Sequence, residues 1–211
     1  MFTSRQARRT AARFRRKGLK GSAMDLVRGI EGAAARGSSV LEVGGGVGQI
    51  QVALLQSGVA ESAINVELSS SWEGAAAGLL AERRLVDRVQ RIQGDFVDRA
   101  ATLPKADVVV LHRVLCCYPD WKAMLTAAIG NSNEVVALTF PNDRWWTRWG
   151  IRIGNMMCRV SGRSFRGFVH SPGPMISLLQ RSGFAIVSEV PGTVWRTVIA
   201  RARQRGRSLP S

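Results

Sequence analysis

The feature of this sequence that most constrains its fold is an apolar segment that runs directly into a cluster of glycines. Residues 40–48 read Val-Leu-Glu-Val-Gly-Gly-Gly-Val-Gly, and apolar side chains then recur at helical spacing over residues 50–55. A short apolar run of this kind predicts a buried strand. Gly44, Gly46 and Gly48 have no Cβ, so the backbone can turn tightly and approach a ligand, and the following helix offers free N–H donors. The segment therefore predicts a strand, a ligand-binding turn and a helix.

Strands and helices continue to alternate along the chain. Further strands are predicted at residues 63–67, 89–93, 107–111, 134–140, 184–190 and 194–201. Helices are predicted at residues 71–83 and 121–129, and from Ser171-Pro172 to Gly183. Short connections favour a parallel sheet covered on both faces, and Pro191-Gly192 suits a final hairpin. We predict an α/β fold: a Rossmann-like, doubly wound, mostly parallel seven-stranded sheet with a terminal antiparallel hairpin and an N-terminal helical arm.

The chain is long enough for one sizeable core, which we divide into a main domain with appendages. Residues 1–36 are interpreted as a basic helical arm and residues 37–203 as the domain. Within the domain, residues 142–171 are rich in Trp, Arg and Gly and are interpreted as an insertion over the carboxyl ends of the strands. Residues 204–211 are expected to form a disordered basic tail.

The arm contains two predicted helices, at residues 4–17 and 22–35. Ser22 with Asp25 resembles a capping box at the start of the second helix. Phe14 favours a lid packed over the cofactor. A membrane contact and an acid-free, Arg-rich targeting segment are the alternatives.

The net charge of +15 is concentrated in the appendages. Residues 1–20 carry eight basic side chains, residues 142–171 carry six and residues 201–211 carry four. Residues 21–141 hold ten basic and thirteen acidic side chains, so the centre of the chain is mildly acidic. A basic partner surface would therefore be peripheral, and its candidate partners are RNA and an anionic membrane surface.

The cysteines and the hydropathy indicate the cellular compartment. Cys116, Cys117 and Cys158 are odd in number and two are adjacent, which suits neither a disulfide framework nor a metal site. No apolar run has the length of a membrane span, and the N-terminus lacks the apolar stretch of a secretory signal. We expect a cytoplasmic protein without a metal.

Acidic residues near the predicted strand ends narrow the ligand of the glycine turn. Glu67 follows the turn by about 20 residues at the end of the second strand, where an acid binds ribose hydroxyls. This pair alone also fits a nicotinamide or flavin cofactor. Glu42 precedes the glycines by two residues, and Asp95 follows the third strand. Beside the interpretation given next, two alternatives stay open for the glycine turn: a dinucleotide site and a scaffold that no longer binds a cofactor.

The four features together resemble class I S-adenosylmethionine-dependent methyltransferases. The resemblance implies that Glu42 helps to hold the methionine end, that Glu67 binds the ribose and that Asp95 accepts from the adenine amino group. It implies S-adenosylmethionine as the cofactor, bound by a set of residues drawn from the ends of the first four strands: Glu42, Gly44, Gly46, Gly48, Glu67, Leu68, Asp95, Phe96 and His112.

A second, looser resemblance concerns residues 107–200. Residues 114–119 read Val-Leu-Cys-Cys-Tyr-Pro and residues 165–170 read Phe-Arg-Gly-Phe-Val-His, which is similar to the magnesium-protoporphyrin O-methyltransferase group. That group has a histidine directly before the Tyr-Pro pair, where this chain has Cys117, so its substrate is not carried over. The chain has no Asn-Pro-Pro-Tyr or Asp-Pro-Pro-Tyr motif, which favours an oxygen over an exocyclic amine as the methyl acceptor.

Candidate catalytic residues follow from the chemistry of methyl transfer, in which orientation supplies much of the rate and a neutral acceptor loses one proton. His170, after the insertion, is a candidate base or substrate ligand. His112 lies at the end of the fourth strand, and Tyr118 offers a hydroxyl beside the expected methyl group. For each of the three, a packing role is the alternative.

The insertion contains the densest aromatic cluster of the sequence, Trp145, Trp146 and Trp149 among arginines. Because ligands of open parallel sheets bind at the carboxyl ends of the strands, we expect this segment to roof the acceptor pocket, with at least one tryptophan facing it and His170 at its end. The sequence favours a methyltransferase that acts on a small or amphipathic molecule. An RNA methyltransferase and a non-catalytic nucleic-acid or membrane-binding module are the alternatives.

Overall fold

The computed structural model describes residues 2–160 and 166–203. Phe165 and the predicted tail, residues 204–211, lie outside the described residues. The strands are β1 (Ser38–Val43), β2 (Ala60–Glu67), β3 (Val89–Gln93), β4 (Ala106–His112), β5 (Ser132–Pro141), β6 (Phe184–Pro191) and β7 (Trp195–Ala202). The helices are α1 (Ser4–Lys17), α2 (Ser22–Ala33), α3 (Gln49–Gln56), α4 (Glu73–Glu82), α5 (Phe96–Arg99), α6 (Trp121–Gly130), α7 (Trp145–Val160) and α8 (Pro172–Arg181).

The strands form a seven-stranded sheet in the order β3-β2-β1-β4-β5-β7-β6. The first five strands pair in parallel, and β7 lies antiparallel between β5 and β6. The predicted doubly wound sheet with its terminal hairpin is confirmed. The chain order reverses between β1 and β4, so the carboxyl ends of these two strands flank the crevice in which open α/β sheets bind ligands.

The central strands read as continuous apolar runs because both of their faces are covered. Val108, Val109 and Val110 of β4 are consecutive and fully buried. One face of the sheet packs against α2, α3 and α4, and the other packs against α6 and α8. These two apolar layers hold the strand ends at fixed positions.

The N-terminal arm is packed onto the domain. Helix α1 lies against α4, and its small residues Ala7 and Ala11 are buried beside Val47 of the glycine turn. The Arg15 guanidinium donates two hydrogen bonds of 2.7 Å to the Glu82 carboxylate. These contacts bring the start of the arm to the ligand-binding edge of the sheet.

The predicted capping box at the start of α2 is wrong. The N-cap of α2 is Gly21, and no side chain caps the helix. Ser22 is the first helical residue, and its hydroxyl instead accepts a 3.0 Å hydrogen bond from Arg113. The Ser22 hydroxyl therefore forms a tertiary contact with the residue after β4, whereas the local pattern predicted a capping interaction with Asp25.

Residues 142–171, interpreted from the sequence as an insertion, contain the 16-residue helix α7. The helix begins four residues after β5 ends, so it lies at the carboxyl edge of the sheet. In the parts of the chain that the structure describes, none of the helices combines the length and the apolar character needed to cross a bilayer.

Candidate active site

The turn between β1 and α3 has a backbone conformation that suits glycine. Gly44 and Gly46 have φ values of 61° and 58°, in the left-handed region where a Cβ is unfavourable. A Cβ on Gly44 would lie 2.8 Å from Cγ2 of Val114, and one on Gly46 would lie 3.5 Å from the Trp72 ring. The glycines thus keep open a space that larger residues would fill.

Glu67, at the end of β2, lies directly beside this turn. Its Oε2 accepts a 2.9 Å hydrogen bond from the N–H of Gly46, and its Oε1 accepts one of 2.9 Å from the N–H of Ser69. A carboxylate has about four acceptor positions, so two remain for a ligand. The fixed carboxylate is therefore suited to receive the two hydroxyls of a ribose.

Asp95 and Tyr118 form a second part of the same site. Asp95 caps α5, with Oδ1 accepting from the N–H of Val97 at 2.8 Å and from the Tyr118 hydroxyl at 3.4 Å. Burial and the neighbouring Asp95 carboxylate raise the pKa of Tyr118. The hydroxyl therefore stays protonated at neutral pH and acts as a hydrogen-bond donor.

These groups surround a first cavity of about 190 Å³. The predicted cofactor residues that line it are Gly44, Gly46, Glu67, Leu68, Asp95 and Phe96, together with the catalytic candidate Tyr118. The predicted cofactor residues that do not line it are Glu42, Gly48 and His112. A glycine cradle, a fixed carboxylate and an apolar wall fit the adenosyl part of S-adenosylmethionine.

Sequence analysis missed two aromatic residues of the cavity wall, Phe2 and Trp72. Their ring centroids lie 5.1 Å apart. Trp72 follows Glu67 by only five residues in the sequence, and this short separation could have indicated that it lies near the same site. No local signal identified Phe2, because it reaches the cavity only when the arm folds back over the domain.

Arg91 of β3 is a third residue that sequence analysis missed. Its side chain is only 9% exposed, and its Nε pairs with the Glu73 carboxylate at 3.0 Å. Its Nη2 donates a 3.1 Å hydrogen bond to the carbonyl oxygen of Gly46. Arg91 therefore holds the glycine turn from the outside of the cavity.

Glu42 is buried beneath the glycine turn. Its Oε2 accepts a 3.2 Å hydrogen bond from the N–H of Gln51 in α3. Burial raises the pKa of Glu42 to about 8, against the lowering effect of this hydrogen bond. The carboxyl group thus links β1 to α3 in a largely protonated form, and its predicted contribution to the methionine end would act through the turn.

Replacing Glu42 by glutamine is expected to stabilise the protein at alkaline pH. In the folded chain the Glu42 carboxyl keeps its proton to about pH 8, whereas in the unfolded chain it releases the proton near pH 4.5. The stability that this group contributes is therefore fully present below pH 4.5 and is lost as the pH rises from there through 8. Glu42→Gln removes this loss, and we expect a gain of about 2 kcal/mol or more at pH 8 and almost none at pH 4.5.

The measurement is thermal unfolding across this pH range, with Glu31→Gln, a change at an exposed acid of α2, as the matched control. If the wild-type and Glu42→Gln proteins differ in stability by the same amount at every pH from 4.5 to 8, the raised pKa assigned to Glu42 is contradicted.

A second, larger cavity of about 440 Å³ adjoins the first. The two cavities share Arg113 and Cys117. The wall of the second is almost wholly apolar and is formed by the ends of β5 and β7, the segment after β4, and α7. Helix α7 contributes Trp146, Thr147, Gly150 and Ile151. Trp146 of the predicted insertion therefore faces a pocket at this edge of the sheet, and the assignment of that pocket to the methyl acceptor stays a prediction.

Arg113 stands at the junction of the two cavities in a constrained conformation. Its φ is 58°, which non-glycine residues rarely adopt, and its N–H donates to the carbonyl oxygen of Thr139 at 3.2 Å. The guanidinium lies 4.3 Å from the centre of the Trp195 ring and donates to Ser22. Three separate segments thus fix one positive charge between the cavities.

Neither histidine lines either cavity. The Nε2 of His112 lies 3.3 Å from the Ser22 hydroxyl, and burial lowers the pKa of His112 to about 3, so the ring is neutral. His170 stacks on Phe168, with 5.8 Å between the ring centroids, and its Nε2 lies 3.2 Å from the Tyr118 carbonyl oxygen. His112 thus contacts Ser22, which also binds Arg113, and His170 contacts Tyr118, which lines the first cavity. Among the described residues, no group of three His, Cys, Asp or Glu side chains could hold a metal.

The sheet order, the glycine turn and the acids after β2 and β3 define the chain as a class I S-adenosylmethionine-dependent methyltransferase. Its cofactor is S-adenosylmethionine. More particularly, residues 24–128 match the family model of the O-methyltransferase domain, a span that includes all the predicted cofactor residues. No curated protein sequence matches the chain.

Solved structures share this fold at low sequence identity. Magnesium protoporphyrin IX methyltransferase from Synechocystis, crystallised with S-adenosylhomocysteine, is 18% identical with a TM-score of 0.69, over 96% of this chain and 89% of that one. An O-methyltransferase family protein from Burkholderia thailandensis is 16% identical with a TM-score of 0.69, over 87% and 56%. An O-methyltransferase family 2 protein from Planctomyces limnophilus in complex with apigenin is 17% identical with a TM-score of 0.68, over 96% and 62%. The chain thus spans little more than half the length of the last two proteins.

Proposed function

We propose that this enzyme methylates an oxygen of a small, apolar or amphipathic acceptor that binds in the second cavity. The observation that carries the proposal is the junction of the two cavities at Arg113 and Cys117. One cavity has the acids and glycines of a nucleoside site, and the other is apolar and large enough for a small organic molecule. A methyl group that leaves the first cavity through this junction would meet an acceptor in the second.

The lining of the second cavity supports an acceptor oxygen that is already ionised. Among its described lining residues there is no carboxylate and no imidazole, whereas Arg113 supplies a fixed positive charge. A guanidinium close to an oxygen favours the anionic form of that oxygen. A carboxylate or an acidic hydroxyl on an apolar, flat body fits this arrangement, because the tryptophans Trp146 and Trp195 offer broad apolar faces.

The residues of the first cavity would hold the cofactor, which supplies an activated methyl group on a sulfonium. Glu67 would accept from the ribose, Asp95 from the adenine amino group, and Leu68 and Phe96 would pack beside the base. Phe2 and Trp72 line one side of the cavity and would shield a bound cofactor from water. In this proposal the protein accelerates the reaction mainly by orienting the two partners in a dry site.

The three candidate catalytic residues are proposed as positioning groups. Tyr118 would orient Asp95 through its hydroxyl, His170 would hold the backbone of Tyr118, and His112 would support Arg113 through the shared partner Ser22. None of these roles requires the histidines to exchange protons with the substrate.

Two further elements of the proposal concern the arm and the compartment. Helix α1, with Phe2 at the cavity, would serve as a lid over the cofactor. A cytoplasmic location is supported by the three free cysteines.

RNA methylation is the less favoured alternative, because the second cavity is apolar rather than basic.

The test measures cofactor binding and methyl transfer separately. Calorimetry should detect binding of S-adenosylmethionine and S-adenosylhomocysteine but not of nicotinamide dinucleotides. With a methyl-labelled donor, label should pass to planar carboxylic acids or phenols at a rate that depends little on salt. Transfer to RNA with a steep fall in rate at high salt would instead support the alternative.

A further inference from the structure

Helix α7 has a second face, which points away from the second cavity. Six apolar side chains on it are exposed and recur every three or four residues, so they form one continuous strip. We call this the α7 apolar strip: Trp145, Trp149, Ile153, Met156, Met157 and Val160. Its members range from 49% exposed at Ile153 to 84% at Val160. A contiguous exposed apolar patch of this size indicates an interaction surface.

A row of positive charges runs beside this strip. The four exposed arginines of the arginine row lie at the same helical spacing as the strip: Arg144, Arg148, Arg152 and Arg159. Residues 144–188 contain no Asp or Glu, so the only nearby acid in sequence is Asp143, which pairs with Arg148. A helix with an apolar strip, an arginine row and no acid of its own has the character of an interfacial helix.

We propose that α7 docks the enzyme onto an anionic membrane surface, with the apolar strip entering the headgroup region and the arginine row contacting lipid phosphates. The proposal follows from the charge complementarity between the arginine row and anionic headgroups. A second copy of the chain is a poorer occupant, because a symmetric contact would bring two arginine rows together. RNA is also poorer, because the strip includes Ile153, Met156, Met157 and Val160, which offer no ring on which bases stack.

Docking would also bring the second cavity close to the lipid. Trp146, Thr147, Gly150 and Ile151 on the inner side of α7 line that cavity, so one helix would separate it from the bilayer. Resting on the proposed function, this geometry would let an apolar acceptor pass from the membrane into the cavity. The docking itself does not depend on which acceptor is methylated.

The experiment is co-sedimentation of the full chain with phosphatidylcholine vesicles, with and without about a third of phosphatidylglycerol. The wild-type chain should pellet with the anionic vesicles, and less so at high salt. Ile153→Glu should weaken vesicle binding by about tenfold or more, because a charge replaces a side chain that enters the bilayer. Val187→Glu is the matched control, since Val187 is 51% exposed on β6 and the charge change is identical, and its binding should stay within about twofold.

Trp149→Gln provides a second variant that changes no charge, and it should also weaken vesicle binding. Equal binding by Ile153→Glu and Val187→Glu would overturn the proposal. So would a wild-type chain that binds a uridine homopolymer but no vesicles, or a wild-type dimer that ignores vesicles and that Ile153→Glu converts to a monomer. Because methyl transfer is not measured, failure here and failure of the proposed acceptor are separate results.

Discussion

Replacing Glu67 by alanine is expected to weaken the binding of S-adenosylhomocysteine by about a hundredfold. Two charge-assisted hydrogen bonds from the ribose hydroxyls to this carboxylate would be lost, each worth about 1.5 to 3 kcal/mol. The substitution also leaves the N–H groups of Gly46 and Ser69 without their carboxylate partner, so the glycine turn is less well fixed before the ligand arrives. Isothermal calorimetry gives the affinity directly.

The matched control is Glu61→Ala, because Glu61 lies on the same strand but at its exposed amino end. This variant should bind the cofactor product like the wild type. Thermal unfolding of both variants would separate a local loss of affinity from a general loss of structure. An unchanged dissociation constant for Glu67→Ala would move the ribose site to another part of the molecule.

Replacing Gly150 by phenylalanine is expected to lower methyl transfer by at least about a hundredfold while leaving cofactor binding within about twofold. Gly150 lies on the inner side of α7 and lines the second cavity, and a Cβ added there meets no atom within 4 Å. A phenylalanine ring would therefore extend into the proposed acceptor site without disturbing the helix. Labelled methyl transfer to a planar acid or phenol measures the first effect, and calorimetry measures the second.

Gly154→Phe is the matched control for this experiment. Gly154 lies one turn further along α7 and also has no atom within 4 Å of an added Cβ, but it does not line the cavity. Both substitutions replace a helical glycine by the same residue, so their effects on helix stability should be similar. Equal turnover by the two variants would show that the acceptor binds elsewhere.

The sequence by itself determined which residues meet in the cofactor half of the proposed site. Gly44, Glu67 and Asp95 each lie at the carboxyl end of a strand or within two residues of it. The carboxyl ends of neighbouring parallel strands meet at one edge of a sheet. Their positions in the chain were therefore enough to bring them together. Leu68 and Phe96 followed because each is the next residue after one of the two acids.

Glu42 and His112, which the sequence also assigned to the cofactor, do not line the first cavity, and burial is the reason. Glu42 belongs to the same motif, but its side chain is enclosed beneath the turn, where burial changes its protonation and removes it from the cavity wall. His112 likewise ends β4 at the correct edge, yet its ring is directed to Ser22. A sequence pattern gives the position of a residue along a strand, but the neighbouring elements decide which space its side chain enters.

The proposed acceptor half was decided by tertiary structure. Arg113 became the link between the cavities only because Thr139, Trp195 and Ser22, from three distant parts of the chain, hold it. The sequence predicted that the tryptophans of residues 142–171 form a roof, but it did not predict the helix that carries them or the division of that helix into two faces. Trp146 and Gly150 line the cavity while Trp149 is exposed, because only one side of α7 faces the cavity that the ends of β5 and β7 also border. Such a selection depends on contacts between segments far apart in sequence, which no local pattern contains.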